Sequence, residues 1–185
     1  LDPMYHTISS QDPKRILQEE WLNSRGAIAR FDRGAIEIRV LDTQECPLAD
    51  FSLAYFIITI LKHICDEKFG SYAQQKLFST NELYEIFDQC VNHADEAVIT
   101  NANFLNFFGF TKKQVNALEF LQFLFEKVQS FMTEQKFTST VNAILEKGPL
   151  AKRILRNLGK DPLHEKIFDI YSQLIECLQK QTIYE

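Results

Sequence analysis

Two short runs of alternating residues, joined by a turn and followed by helical periodicity to the end of the chain, limit what this sequence can build. Ala27, Ala29 and Phe31 alternate with Ile28 and Arg30. After the turn signal Asp32-Arg33-Gly34, Ile36, Ile38 and Val40 alternate with Ala35, Glu37, Arg39 and Leu41. That pattern predicts a β-hairpin over residues 25–42. Two strands alone rarely make a stable sheet, so either helices cover the pair or partner strands lie outside this chain.

The remainder reads as helices. Asp12-Pro13 predicts a helix to about Asn23, with the carboxylate as N-cap and the proline in the first turn. Beyond Pro47, Asp50 is expected to cap a helix ending near Gly70, with Phe51, Ala54, Ile57, Ile58, Leu61 and Ile64/Cys65 as its apolar stripe. Ser79 and Glu82 form a capping-box pattern for a helix to about Asn92, and residues 94–103 read as a polar loop. Thr111 is expected to cap a long helix through Met132. Further helices are expected over about 138–147, stopped by Gly148-Pro149, over 150–158, closed by Gly159, and after Asp161-Pro162, with Ile167, Ile170, Leu174 and Leu178 as the last stripe. The expected fold class is α+β and predominantly helical: an antiparallel hairpin, then about six helices spanning roughly 50–183. The whole of 1–185 forms one domain or the C-terminal piece of a larger one. The chain opens at Leu1-Asp2-Pro3 with Met4 behind, which suggests that it does not begin at a natural start.

Composition narrows the function classes. The apolar share of 45% and charged share of 24% suit a globular domain with a core of its own. A net charge of −5 argues against a general nucleic-acid binder, which needs a basic field. The cysteines at 46, 65, 90 and 177 have no framework spacing and no secretory leader precedes them, so reduced thiols and a cytoplasmic location are expected. The longest apolar run, near 51–61, is too short and too interrupted for a membrane span.

Strand alternation puts Glu37 and Arg39 on one face, opposite Ile36, Ile38 and Val40, and roughly 7 Å apart along the backbone. Arg30 lies on the first strand, with Arg25 and Arg33 near its ends. A carboxylate among several guanidinium groups suits phosphoryl transfer, in which cations neutralise the moving phosphoryl group. From pattern alone, a salt-bridged solvent face is the commoner meaning.

The stretch RFDRGAIEIRVLDTQECPLADFSLAYFIITIL, residues 30–61, resembles the C-terminal signature of the glutamate–cysteine ligase family, in the bacterial branch that includes general carboxylate–amine ligases. ILEKGPLAKRILRNLG, residues 144–159, is similar to a helical segment near that family's C-terminus, and the Glu-x-Arg pair resembles a late strand of glutamine synthetases. The resemblance implies a glutamine-synthetase-like catalytic fold and an ATP- and Mg²⁺-dependent ligase of the kind that serves glutathione biosynthesis. Its reaction activates a carboxylate, such as that of glutamate, as an acyl phosphate and joins it to an amine such as cysteine. It further implies Glu37 as a Mg²⁺ ligand, Arg39 and Arg30 as catalytic contacts to phosphoryl group or substrate, and Arg39 and Arg33 as nucleotide contacts. Asp42 is expected to orient an arginine or end the strand. The family's N-terminal acidic strand has no counterpart here. An incomplete site is therefore expected, its missing partner being the N-terminal part of the same enzyme.

Other constellations read more plainly. His63-x-Cys65 and Cys90-x-x-His93 could offer zinc ligands, but buried thiols and ordinary surface histidines are the expectation. The phenylalanines from Phe104 to Phe125 read as core, and Lys152, Arg153 and Arg156 as a solvated face beside inward Ile154, Leu155 and Leu158. No glycine-rich phosphate loop is present. The alternative to a ligase piece is an all-helical protein-interaction module with no catalytic role, in which Glu37 and Arg39 merely pair.

Overall fold

The computed structural model describes residues 2–17 and 26–185. The chain divides into two compact units, Leu1–Asp42 and Thr43–Glu185. The fold class is as expected: nine α-helices and two small antiparallel strand pairs among the described residues.

The first unit begins with α1 (Asp2–Ile8), a helix the sequence reading missed. The start signal at Asp12-Pro13 opens no helix over the described residues. The Asp12 carboxylate accepts from the Ile16 and Leu17 N–H groups, both at 2.8 Å, and Arg15 takes a left-handed φ of 53°, which interrupts helical winding. The rest of that expected helix, to Asn23, and Arg25 lie outside the described residues. The hairpin is present as β1 (Ala27–Arg30) and β2 (Ala35–Ile38), pairing Ala27 with Ile38 and Ile28 with Glu37. Its four-residue loop closes on Gly34 at φ 57°. The apolar face is turned outward, with Ile36 61% and Val40 54% exposed, so among the described residues nothing of this unit covers it fully.

The second unit is built around α6 (Ala117–Val128). Its Phe120, Leu124, Phe125 and Val128 are buried against Phe56 of α2 (Pro47–Cys65), Leu105 of α5 (Ala102–Phe107), and Val141 and Leu145 of α7 (Gln135–Lys147). The phenylalanine-rich stretch is core, as expected. Phe120 has ring neighbours in Phe104 and Phe108, both at 5.4 Å between centroids, and in Phe110 at 6.1 Å. Gly70 permits a close approach in the same region, since a Cβ there would stand 2.6 Å from the Phe107 ring.

Several boundaries moved for identifiable reasons. Pro47 starts α2 four residues early, and the Asp50 carboxylate accepts from the Gln44 N–H (3.0 Å) instead of capping. The inward seam of α2 is Ala49, Ser52, Phe56, Thr59 and His63, while Phe51 and Ile58 are exposed. Most of the seam's polar atoms bond within the helix: Ser52 donates to the Leu48 carbonyl, Thr59 to that of Tyr55, and His63 Nδ1 to that of Thr59 (2.6, 2.7 and 2.8 Å), while His63 Nε2 is buried among aromatic rings with no hydrogen-bond partner among the described residues. At 19 residues and a mean hydropathy of 1.5, α2 is long and apolar enough to cross a membrane, which the sequence reading did not anticipate; it packs against α7 and α6 along one seam.

The short α3 (Tyr72–Gln75) precedes α4 (Thr80–His93), which carries the expected capping box: Ser79 Oγ accepts from the Glu82 N–H, and Glu82 Oε2 accepts from the Ser79 N–H. The stretch expected as loop instead holds a 3₁₀ turn, β3 (Val98–Ile99) and the start of α5. Thr111 caps nothing, because β4 (Val115–Asn116) pairs with β3 and Asn116 caps α6, accepting from the Glu119 N–H at 2.8 Å. Gly148 and Gly159 end α7 and α8 (Leu150–Leu158) as expected. The last helix, α9 (His164–Lys180), starts after Asp161-Pro162, with Ile170 buried but Leu178 exposed.

Candidate functional site

The antiparallel register places Ile28, Arg30, Glu37 and Arg39 on one face of the hairpin. Arg30 reaches diagonally across the pair and its Nη1 donates to Glu37 Oε2 at 3.0 Å. Arg39 lies two residues from Glu37 on the same side and its Nε donates to Oε1 at 2.7 Å. Each carboxylate oxygen of Glu37 therefore accepts from a different guanidinium group. The Arg39 N–H donates to the Gly26 carbonyl (2.9 Å), which extends the ladder past β2 and fixes the direction of its side chain. Arg30 also bridges to Asp32 at 3.3 Å, and Asp32 holds Arg33 at 3.5 Å.

Arg30, Glu37 and Arg39 are thus brought together, half-buried, whereas Arg33 and Asp32 sit out on the loop and Asp42 is exposed beyond the strand end. The hydrogen bond from Arg39, followed by its charge and by Arg30, holds the Glu37 carboxyl below its ordinary value of 4.5. The hydrogen bond from Arg30 lowers Asp32 in the same way. The sign follows from the lowered folded value. The pairing contributes to hairpin stability above the ordinary carboxylate range, and that contribution is lost as pH falls through the depressed value. Carboxyl-detected NMR titration should find Glu37 titrating below 4.5, and Arg39→Gln should move it back toward that value.

Planar guanidinium forks suit phosphate and carboxylate groups. A cation fits less well. Both Glu37 oxygens are engaged, and no group of three or more His, Cys, Asp or Glu side chains converges anywhere among the described residues. His63 is buried with Nδ1 spent on its own helix while Cys65 is exposed, and burial raises the Cys90 thiol, so neither His/Cys pair is arranged for zinc.

The second unit holds two further polar features. A cavity of about 240 Å³ is lined by Gln74, Leu77, Phe78, Asn103, Asn106 and Phe107; no charged side chain lines it to meet a phosphate. The other was missed by the sequence reading. Arg153, expected on a solvated face, is fully buried, as is its partner Glu45. Its Nη1 donates to Glu45 Oε1 (2.7 Å) and to the Tyr184 carbonyl, and its Nε to the Gly148 carbonyl (3.0 Å). Glu45 also accepts from the Tyr184 N–H at 2.9 Å, so the ion pair clasps the segment after α9. Lys152 bridges to Asp95 and Glu96, both at 2.7 Å, and Leu155, expected inside, is 64% exposed. No local pattern in 150–158 signals this inversion, because the carboxylate that draws Arg153 inward lies 108 residues away.

No protein-family model matches the chain, and no solved structure matches it. It is similar to an uncharacterized protein of Archaeoglobus fulgidus, 28% identical over 178 residues, which covers 91% of this chain. The chain spans 39% of that protein's length.

Proposed function

We propose that this chain is the C-terminal part of an ATP-dependent carboxylate–amine ligase similar to glutamate–cysteine ligase. The observation that carries the reading is the convergence of Arg30 and Arg39 on Glu37 across one hairpin face, within the stretch that resembles that family. In such a reaction a carboxylate oxygen attacks the γ-phosphorus of ATP and ADP leaves. An amine then attacks the acyl carbon and phosphate leaves, the amine proton passing to a base. Arg39 and Arg30 are suited to hold the transferred phosphoryl group or the carboxylate it joins, and Arg33, out on the loop, to meet a more distal phosphate. Glu37 sets the two guanidinium groups in place. The described residues do not by themselves form a Mg²⁺ site, so Glu37 becomes a metal ligand only where further carboxylates join it.

The outward apolar face of Ile36, Ile38 and Val40 and the 39% coverage of the archaeal relative agree with a hairpin that pairs into a larger sheet. The test is amide formation by the full reading frame from glutamate, ATP with Mg²⁺ and a panel of amines including cysteine. Amide, ADP and phosphate are expected in equal amounts. Glu37→Ala and Arg39→Ala should each lower kcat/KM by about 100-fold or more while leaving the melting temperature nearly unchanged. Undiminished activity in both variants would remove these residues from the site. Turnover by residues 1–185 alone would show that the hairpin needs no added acidic strand.

A further inference from the structure

The cavity of about 240 Å³ in the second unit is lined from α3 and the segment just after it, and from α5. Its base is aromatic. Phe107 is buried, and its ring can lie there because Gly70 has no Cβ, which would stand 2.6 Å away. Phe78 is 5.5 Å from Phe107 between centroids and at 87° to it, so a flat ring stacked on one phenylalanine meets the other edge to face. The rim carries carboxamides: Gln74 from α3, and Asn103 and Asn106, three residues apart on one side of α5. Gln74 Oε1 accepts from the Ser71 N–H at 2.8 Å, which fixes the side chain and leaves its Nε2 group to donate. The Asn106 carboxamide has no hydrogen-bond partner among the described residues. Leu77, 80% exposed, stands at the open side.

We propose that this cavity binds an adenine base, free or as its nucleoside. A carboxamide offers a donor and an acceptor side by side, which is the pairing by which Asn and Gln read the edge of adenine. Guanine is read by Arg or Lys and cytosine by Asp or Glu, and none of these lines the cavity. Aromatic side chains beside such amides give a base a surface to stack on. At about 240 Å³ the space falls below the roughly 300–1,000 Å³ of sites that enclose larger ligands, which suits one small ring system. Charge selects a neutral ligand. Glu82, whose carboxyl the Ser79 N–H and hydroxyl hold below its ordinary value, is also bonded by Asn103, so negative charge stands behind that part of the rim. A phosphate there would be repelled, and an amino-acid zwitterion would find no counter-charge for its carboxylate. An acyl chain fits poorly, because it would leave the amides unpaired. The site belongs to the second unit alone and does not depend on the ligase residues, which belong to the first.

Isothermal titration calorimetry of the 185-residue chain tests this without reference to any ligase activity. Adenine and adenosine are each expected to bind with a dissociation constant of about 100 µM, and adenine should shift the side-chain amide NMR signals of Gln74 and Asn106. Indole is as flat but offers a single N–H, and should bind at least about 10-fold more weakly. Adenosine monophosphate should bind more weakly than adenosine, since no cation meets its phosphate. Asn106→Leu should keep the fold, because that carboxamide is bonded to nothing among the described residues, and should weaken adenine binding by at least about 10-fold. Phe78→Ala, its fold checked by circular dichroism, should cost a similar factor through lost stacking. No binding of adenine at about 2 mM would overturn the proposal. So would indole binding as tightly as adenine, adenosine monophosphate binding more tightly than adenosine, or adenine binding undiminished in both variants.

Discussion

Replacing Arg153 with alanine is expected to destabilise the second unit by about 3–5 kcal/mol, because it leaves the Glu45 carboxylate buried without its counter-charge. Both side chains are fully buried, and the guanidinium serves three partners: Glu45 and the Gly148 and Tyr184 carbonyls. One substitution therefore strands a charge and two backbone acceptors together. In a chain of this size a loss of that order lowers the melting temperature by roughly 10 °C, readable by circular dichroism or calorimetry. Arg153→Lys should recover only part of the loss, since an ammonium cannot reproduce the planar fork. The double variant Glu45→Leu with Arg153→Met should be more stable than either single replacement, because no charge is then left alone. A loss within about 0.5 kcal/mol for Arg153→Ala would mean that water reaches Glu45 and that the clasp contributes little.

Phe120→Ala is expected to cost about 3–5 kcal/mol. The ring is 5% exposed and stands among Phe104, Phe108, Phe110 and Phe123, so its removal forfeits apolar burial and four aromatic contacts. Those neighbours belong to α5, the segment just after it and α6 itself, and their mutual ring contacts limit how far the space can close. Urea unfolding should show a lower midpoint with the slope preserved, and near-UV dichroism should weaken. Phe31→Ala is the matched control. That ring is 93% exposed on the hairpin loop, and its loss should stay within about 0.5 kcal/mol.

Much of the candidate site was legible before any coordinates. Strand alternation is a local property, so Glu37 and Arg39 had to share a face once residues 35–38 were extended. The turn signal and Gly34 placed the loop, and the pairing that follows carries Arg30 to the same side. Which side of the hairpin faces water was not legible in that way. Apolar alternation leaves open whether helices cover the pair or partner strands lie outside the chain, and Ile36 and Val40 are exposed, since an apolar pattern names a face without naming what covers it. Helix ends signalled by local chemistry, the Ser79/Glu82 box and the stops at Gly148 and Gly159, fell where expected. Thr111 did not become a cap, because β4 had a partner in β3 across 16 residues and took the chain into a strand first.

What the sequence by itself determined is therefore short-range: the hairpin and its charged face, the capping boxes, the glycine stops and the helical periods. Those follow from backbone geometry and from side chains within about four residues of each other. Tertiary structure alone decided which stripe of each helix turned inward. The Ser52, Thr59 and His63 seam of α2 could go inside because both hydroxyls and the His63 Nδ1 bond to carbonyls of their own helix. Arg153 could go inside because Glu45 and the segment around Tyr184 were folded there to receive it. A helix with two amphipathic options cannot choose between them alone. The choice falls to whichever distant partner makes burial of a polar group cost least.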